Sequence, residues 1–309
     1  MLVPVDVQLA GVLGAGVDAE PVLLRVAGIT TGMTGRPDGP PLVVDEATTP
    51  FLVDEGPADV TVEVGWGDLS GAEGGETVFD SGSVWRLYRQ ADRLAYRFRS
   101  AAFGDTPYKT ASFDAHFTTG QVRLHRPYFE AREPGYPLAY PLDELLIIGL
   151  LGQGRGIEIH GCGVLDRSGE GYLFVGQSGA GKTTMARLWL EEEGATILSD
   201  DRVVLRSQGD HIQMYGTPWH GEAPLASPRS VPLSRIFFLR HAARHALAPV
   251  TGVEAAAQLF ASSFPPFHSP TALEFTLDLL ERVVRQVPRA GLCFARDRTA
   301  IDFIRRQAE

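Results

Sequence analysis

The run Gly176-Gln177-Ser178-Gly179-Ala180-Gly181-Lys182-Thr183 has the spacing G-x-x-x-x-G-K-[ST], and each position answers a separate chemical need. The glycines let backbone amides turn inward around phosphate oxygens, and the helix that begins there adds its positive end. Lys182 reaches the β- and γ-phosphates, and the Thr183 hydroxyl ligates magnesium. Gly176, Ser178, Gly179, Ala180, Gly181, Lys182, Thr183 and Thr184 are therefore the expected nucleotide contacts, with ATP and Mg2+ as the expected cofactors. The context agrees, because the apolar segment Tyr172-Leu173-Phe174-Val175 precedes the loop and an amphipathic stretch from Met185 to Leu190 follows it. Lys182 is also one of only two lysines in the chain, the other being Lys109.

A second group of chemical residues lies about one strand-helix-strand step away. Thr196-Ile197-Leu198-Ser199 reads as a short strand that runs into Asp200 and Asp201. Carboxylates at such a strand end hold magnesium in many phosphate-loop enzymes. Adjacent side chains on extended backbone point to different sides, so one aspartate can serve the metal while the other takes a proton from an acceptor hydroxyl. The sequence leaves open which does which. His160, on the strand before the loop, is a further candidate for the catalytic set of His160, Lys182, Asp200 and Asp201. The segment from Gly216 to Glu222 has two glycines for backbone freedom, Trp219 as a flat contact surface, and His220 and Glu222 as proton or metal handles. The expected metal positions are thus Thr183, Asp200, Asp201 and Glu222.

The order of His160, the loop 176–183 and Ser199-Asp200-Asp201 resembles the catalytic domain of HPr kinase/phosphorylase, whose fold is related to phosphoenolpyruvate carboxykinase. The resemblance spans about 141–309. It implies that His160 and one of the two aspartates lie near the transferring phosphate and a serine hydroxyl, with the other aspartate at the metal. The glutamate-x-arginine-glycine signature that HPr kinases carry beyond the aspartate pair is missing, and Tyr215 to Glu222 stands in its place. In that segment the chain is more similar to HPr-kinase-like bacterial relatives, some of which phosphorylate serine on a precursor peptide. The expected acceptor is a hydroxyl, foremost serine, of a peptide, protein or small molecule. HPr kinases are oligomers, and self-association is an expectation that the resemblance carries. Two other readings are a nucleotide-binding regulatory or recognition module without phosphotransfer and a carboxykinase-type enzyme.

These residues need elements to hold them. Before about residue 130, apolar and polar positions alternate between glycine, proline and aspartate punctuation, which predicts strands. Val60, Val62 and Val64 alternate with Thr61 and Glu63, and Val84–Arg89 forms a hairpin with the strand of Leu94, Tyr96 and Phe98, whose intervening Arg97 and following Arg99 face solvent. Tyr128 to Tyr140, with Pro134 and Pro137 inside it and little periodicity, reads as a connection. Beyond it, Pro141 opens a helix to about Leu151, and strands then alternate with helices: strands at 157–164, 172–175, 196–199, 203–206, 212–215 and 235–239, helices at 181–193, 253–262, 272–286 and 299–307. This alternation predicts an α/β layer architecture. The expected organisation is a β-rich N-terminal domain over 1–135, serving substrate or partner recognition, and an α/β P-loop kinase domain of HPr kinase/phosphoenolpyruvate carboxykinase type over 136–309.

Composition narrows the partners. With 28 basic and 38 acidic residues the chain carries a formal charge of −10, which argues against a protein built to neutralise nucleic-acid phosphates or an acidic membrane. The apolar run Leu145–Leu151 falls far short of the roughly 18 residues of a membrane span. The apolar stretch Val7–Val17 lacks the preceding basic residue of a secretory signal, the first being Arg25. Cys162 and Cys293 are too far apart for a paired metal site and read as core residues in a reducing compartment. The expected location is the cytoplasm.

Overall fold

The computed structural model describes residues 9–12, 20–71, 74–82, 84–101, 103–129, 135–221 and 225–307. The chain divides into two compact units, Met1–Leu150 and Leu151–Glu309. The division thus falls later than the 135/136 boundary expected from the proline-rich connection, because the helix that follows the connection belongs almost wholly to the first unit.

The first unit is built on strands β1 (Leu9–Val12), β2 (Val22–Val26), β3 (Ile29–Gly35), β4 (Val43–Asp45), β5 (Leu52–Val53), β6 (Val60–Gly67), β7 (Glu76–Asp80), β8 (Trp85–Gln90), β9 (Arg93–Phe98), β10 (Lys109–Asp114) and β11 (Thr119–His125), followed by helices α1 (Arg126–Phe129) and α2 (Leu142–Leu151). Nine of the strands form one sheet in the order β5-β2-β3-β6-β11-β10-β9-β8-β7, and β1 pairs with β4 in a small second sheet. The period-2 pattern translates directly into burial: Val60, Val62 and Val64 are fully buried while Thr61 is exposed. β8 and β9 form the expected hairpin, with Gln90 opposite Arg93. Arg97 departs from expectation. It is buried rather than solvent-facing, its guanidinium 4.0 Å over the Tyr88 ring and hydrogen-bonded to the Gly74 carbonyl, so stacking and a backbone acceptor replace water around the charge.

The second unit contains β12 (Ile157–Leu165), β13 (Gly171–Val175), α3 (Lys182–Leu190), β14 (Thr196–Ser199), β15 (Arg202–Gln208), β16 (His211–Gly216), β17 (Ser230–His241), β18 (Ala246–Ala248), α4 (Gly252–Ala261), α5 (Pro270–Gln286), β19 (Arg289–Phe294) and α6 (Thr299–Arg306). Two long strands organise it. The first half of β12 pairs with β15, and its second half with β13 and β14. β17 likewise pairs first with β16 and then, in parallel, with β13 and β19. Because β15 also pairs with β16, the path β12–β15–β16–β17–β13–β12 closes on itself. The changeover falls between His160 and Gly161, and just beyond it Gly163 leaves room for Val203, whose Cγ1 would stand 2.7 Å from a Cβ there.

Alternate residues of β13 and β17 serve two cores. Leu173, Val175, Ile236 and Phe238 join a cluster closed by Ala255 and Leu259 of α4 and by Leu279, Leu280 and Val283 of α5. Tyr172, Phe174, Phe237 and Leu239 join another closed by Met185, Ala186 and Trp189 of α3 and by Ala300, Ile301 and Ile304 of α6. Fully burying each such side chain stabilises the fold by about 1.5–3 kcal/mol. The parallel trio β13, β17 and β19 therefore lies between helices on both faces, and its carboxyl ends form the edge at which ligands bind in α/β sheets. Among the described residues, no helix is long and apolar enough to cross a membrane.

Candidate functional site

The glycine-rich loop from Gly176 to Gly181 leaves the carboxyl end of β13 and enters α3, the strand-to-helix placement that the sequence predicts. Its turn depends on Gly179 (φ 81°) and Gly181 (φ 105°), a left-handed backbone region that glycine adopts without steric cost. Gly181 is also the N-cap of α3, which has no side-chain cap and no acidic residue in its first turn. The contrast with neighbouring helices is informative: α4 has a capping box in which Thr251 and Glu254 satisfy each other's amides, and α5 is capped by Ser269. The first amides of α3 remain open to an anion, and the positive end of the helix dipole is not neutralised by its own sequence.

Lys182 folds back over the loop, its Nζ donating to the Gly176 carbonyl at 2.7 Å and the Gln177 carbonyl at 3.4 Å. Its burial lowers the ammonium pKa, an effect opposed by the Asp201 charge and reinforced by Arg202. The hydrogen bonds of this buried cation thus go to carbonyls of its own loop.

Asp200 and Asp201 form the turn between β14 and β15. The fully buried Ser199 fixes that turn: its hydroxyl accepts from the amides of Asp201 and Arg202 at 3.2 and 3.1 Å and donates to the Trp219 carbonyl at 3.1 Å. Asp200 is buried, and its Oδ1 accepts from the Gly221 amide at 2.8 Å. Asp201 is half-buried and points differently. Its Oδ1 lies 3.0 Å from His160 Nδ1, and its Oδ2 is ion-paired with Arg202. Burial acts to raise the Asp201 carboxyl, but the His160 hydrogen bond, the Arg202 guanidinium and the charges of His160 and Lys182 outweigh it, and the pKa is lowered. The coupling of Asp201 to Lys182 links the carboxylate pair to the phosphate loop.

His160 reaches Asp201 because β12 and β15 pair with His160 opposite Arg202. Its Nδ1 is 2.8 Å from Arg202 Nη1 as well as 3.0 Å from Asp201 Oδ1. A guanidinium only donates and a carboxylate only accepts, so these contacts belong to different tautomers: Nδ1 either accepts from Arg202 or donates to Asp201. Arg202 is itself held by buried Glu158, 3.3 Å from its Nε, and by the Phe264 ring 4.4 Å below it. Phe264 arrives through the segment after α4, where His160 N donates to Ser262 O at 2.6 Å and Phe264 N to Glu158 O at 3.1 Å. The sequence singles out neither Glu158 nor Arg202, whose roles follow only from the register of β12 against β15.

The segment that begins at Gly216 folds against the aspartate turn. Thr217 Oγ1 donates to Arg202 O at 2.7 Å. Trp219 is buried rather than presented as a flat contact surface, and its backbone carbonyl accepts from Ser199 Oγ. Glu222 lies outside the described residues. Cys162 is buried and Cys293 half-buried, both as free thiols; burial and the Asp200 charge push the Cys162 thiol up. Among the described residues no group of three or more histidine, cysteine, aspartate or glutamate side chains is placed to hold a metal ion. The donors present are the Thr183 hydroxyl and the aspartate carboxylates, which fit magnesium held by one or two carboxylates plus substrate phosphates rather than by a protein cage.

No protein-family model matches the chain, and no curated protein matches it. Among solved structures it is distantly similar to the HPr(Ser) kinase/phosphatase from Coxiella burnetii, with 12% identity over 41% of this chain and 90% of that one and a TM-score of 0.23. That is a weak likeness, beside which the protein is a mixed α/β chain with large sheets.

Proposed function

We propose that the second unit is a nucleotide-dependent phosphotransferase that moves the terminal phosphoryl group of ATP onto a hydroxyl, foremost a serine, of a peptide, protein or small molecule. The observation that carries this reading is the uncapped start of α3 behind a glycine loop whose own lysine donates to the Gly176 carbonyl at 2.7 Å. The loop amides and Lys182 bind and orient the phosphate chain, and excess negative charge on the reacting group is offset where it develops. Thr183 and Asp200 would hold Mg2+, which when bound neutralises charge on the terminal phosphates.

In this reading the acceptor proton goes to Asp201. Its lowered pKa keeps it ionised at neutral pH, and His160 at 3.0 Å offers a second proton-carrying group in contact with it. Arg202 holds the carboxylate in place, and Glu158 and Phe264 hold Arg202. The proposed kinase type resembles HPr kinase in the order of its motifs, while the acceptor differs as far as the missing signature implies.

A second reading, a nucleotide-binding regulatory module without phosphotransfer, draws support from the Asp201–Arg202 pair. A carboxylate already paired with a guanidinium is a weaker base. γ-Labelled ATP with magnesium, incubated with a host extract fractionated into proteins, peptides and metabolites, separates the two. Label on a hydroxyl acceptor with the wild type, absent with Asp201→Asn and Lys182→Ala, is the expected result. Tight nucleotide binding with no fraction labelled above those variants would favour the module.

A further inference from the structure

The tip of the phosphate loop is held by groups that the reading above does not use. β17 and β19 run parallel with His241 opposite Phe294, so both strands end beside the loop that leaves β13. The two rings stand 5.5 Å apart, and a Cβ on Gly181 would lie 2.7 Å from both His241 Cε1 and Phe294 Cζ. They are seated directly on the last glycine of the loop. His241 Nε2 is 2.7 Å from the Gly179 carbonyl and 3.0 Å from Arg296 Nη2, and Nδ1 is 3.5 Å from Arg296 Nε. Since the carbonyl must accept and the guanidinium must donate, an Nε2–H bonded to Gly179 leaves Nδ1 to accept from Arg296. One ring thereby ties Arg296 to the loop.

The neighbouring arginines point to what Arg296 is for. Arg298 pairs with Glu191 and Glu192, and Arg305 with Asp166 and Glu192. Arg296 is exposed, and among the described residues its hydrogen bonds go to the His241 ring alone. In a chain of net charge −10, a guanidinium kept beside a phosphate loop with no carboxylate bonded to it retains its capacity for an anion. Its planar fork matches phosphate oxygens.

We infer that Arg296 is a nucleotide-contacting residue, positioned by His241 to bind the phosphate chain at the loop tip while Lys182 binds it at the loop base. The inference rests on the nucleotide reading of the loop and adds a second cation to it. Binding is a swap of hydrogen bonds: the guanidinium leaves a neutral imidazole acceptor for phosphate oxygens, and the His241–Gly179 bond remains to hold the tip.

The test is calorimetric titration of the full chain with ATP and AMP in magnesium buffer, comparing wild type, Lys182→Ala, Arg296→Gln, Arg296→Lys and Arg298→Gln. Arg296→Gln is expected to lose about tenfold or more in ATP affinity, the scale of a charge-assisted hydrogen bond, with a smaller loss for AMP and an unchanged melting temperature. Arg296→Lys should recover part of that loss, and Arg298→Gln should match the wild type. Should Arg296→Gln lower the melting temperature, the Arg296→Lys variant, which keeps charge and length, decides by the same comparison. ATP binding that Lys182→Ala abolishes and both Arg296 variants retain to within about twofold overturns the Arg296 assignment alone. No ATP binding by the wild type overturns the nucleotide reading and this inference together.

Discussion

The His160 ring reaches from β12 to the turn before β15, where its Nδ1 stops 3.0 Å from the Asp201 carboxylate. Phosphoryl transfer to a hydroxyl requires a proton acceptor, and general bases contribute about 10²–10⁴-fold to such steps. Asp201→Asn is therefore expected to lower initial rates of label transfer from γ-labelled ATP by a factor in that range while leaving ATP affinity within a few-fold of the wild type. An unchanged rate in Asp201→Asn would remove Asp201 from the chemistry.

Arg202 should set the pH range in which Asp201 works. The guanidinium is among the groups that lower the Asp201 pKa, so the carboxylate stays ionised down to a pH below the ordinary aspartate range. Without that cation the pKa rises, and the acid limb of the rate profile moves to higher pH. The double variant Glu158→Gln/Arg202→Met removes both charges of the buried pair together. Its rate-pH profile should shift upward on the acid side; a shift downward, or none, would contradict the assignment.

Lys109 offers a test of the first unit by stability alone. The ammonium is buried on β10, donates to the Ala139 carbonyl at 2.9 Å, and is lowered to about 8 by burial, with Asp143 opposing. Between pH 8 and the ordinary lysine value of 10.5 the unfolded chain binds more protons at this site than the folded one, so this site makes stability rise with pH across that window. Urea unfolding from pH 7 to 10 should give a more positive slope of stability against pH for the wild type than for Lys109→Met. Parallel slopes would mean that the lysine titrates normally.

Trp189 is the largest fully buried side chain of the core between β13, β17 and the helices α3 and α6. It lies 5.7 Å from Tyr172, and the Arg305 guanidinium stands 5.2 Å from its ring. Trp189→Ala leaves a cavity and should cost about 3–5 kcal/mol in denaturant unfolding. A loss below about 1 kcal/mol would show that the site collapses around the smaller side chain.

How much of this could be read from the residues varies with the physical signal each element carries. The position of the loop between β13 and α3 was legible because glycines at fixed spacing separate an apolar run from an amphipathic one, and Val60, Val62 and Val64 were legible because a half-buried strand writes its burial at period 2. β19, Arg-Ala-Gly-Leu-Cys-Phe, was missed: a short strand in a parallel trio, covered on both faces, carries no alternation. Arg97 was misplaced because the pattern counts charge as exposure and cannot see an aromatic ring waiting beneath it. The contacts among Glu158, Arg202, Asp201 and His160, and between His241, Arg296 and Gly179, depend on strand register across long separations. Local sequence does not encode that register.

Calorimetric titration of the full chain with MgATP measures nucleotide binding at the loop 176–183 directly. The wild type should bind nucleotide at one site per chain, and Lys182→Ala should lose about a hundredfold or more in affinity, since it removes a partly desolvated cation from the phosphates. Equal binding by the two proteins, or no binding by the wild type, would contradict a nucleotide site at this loop.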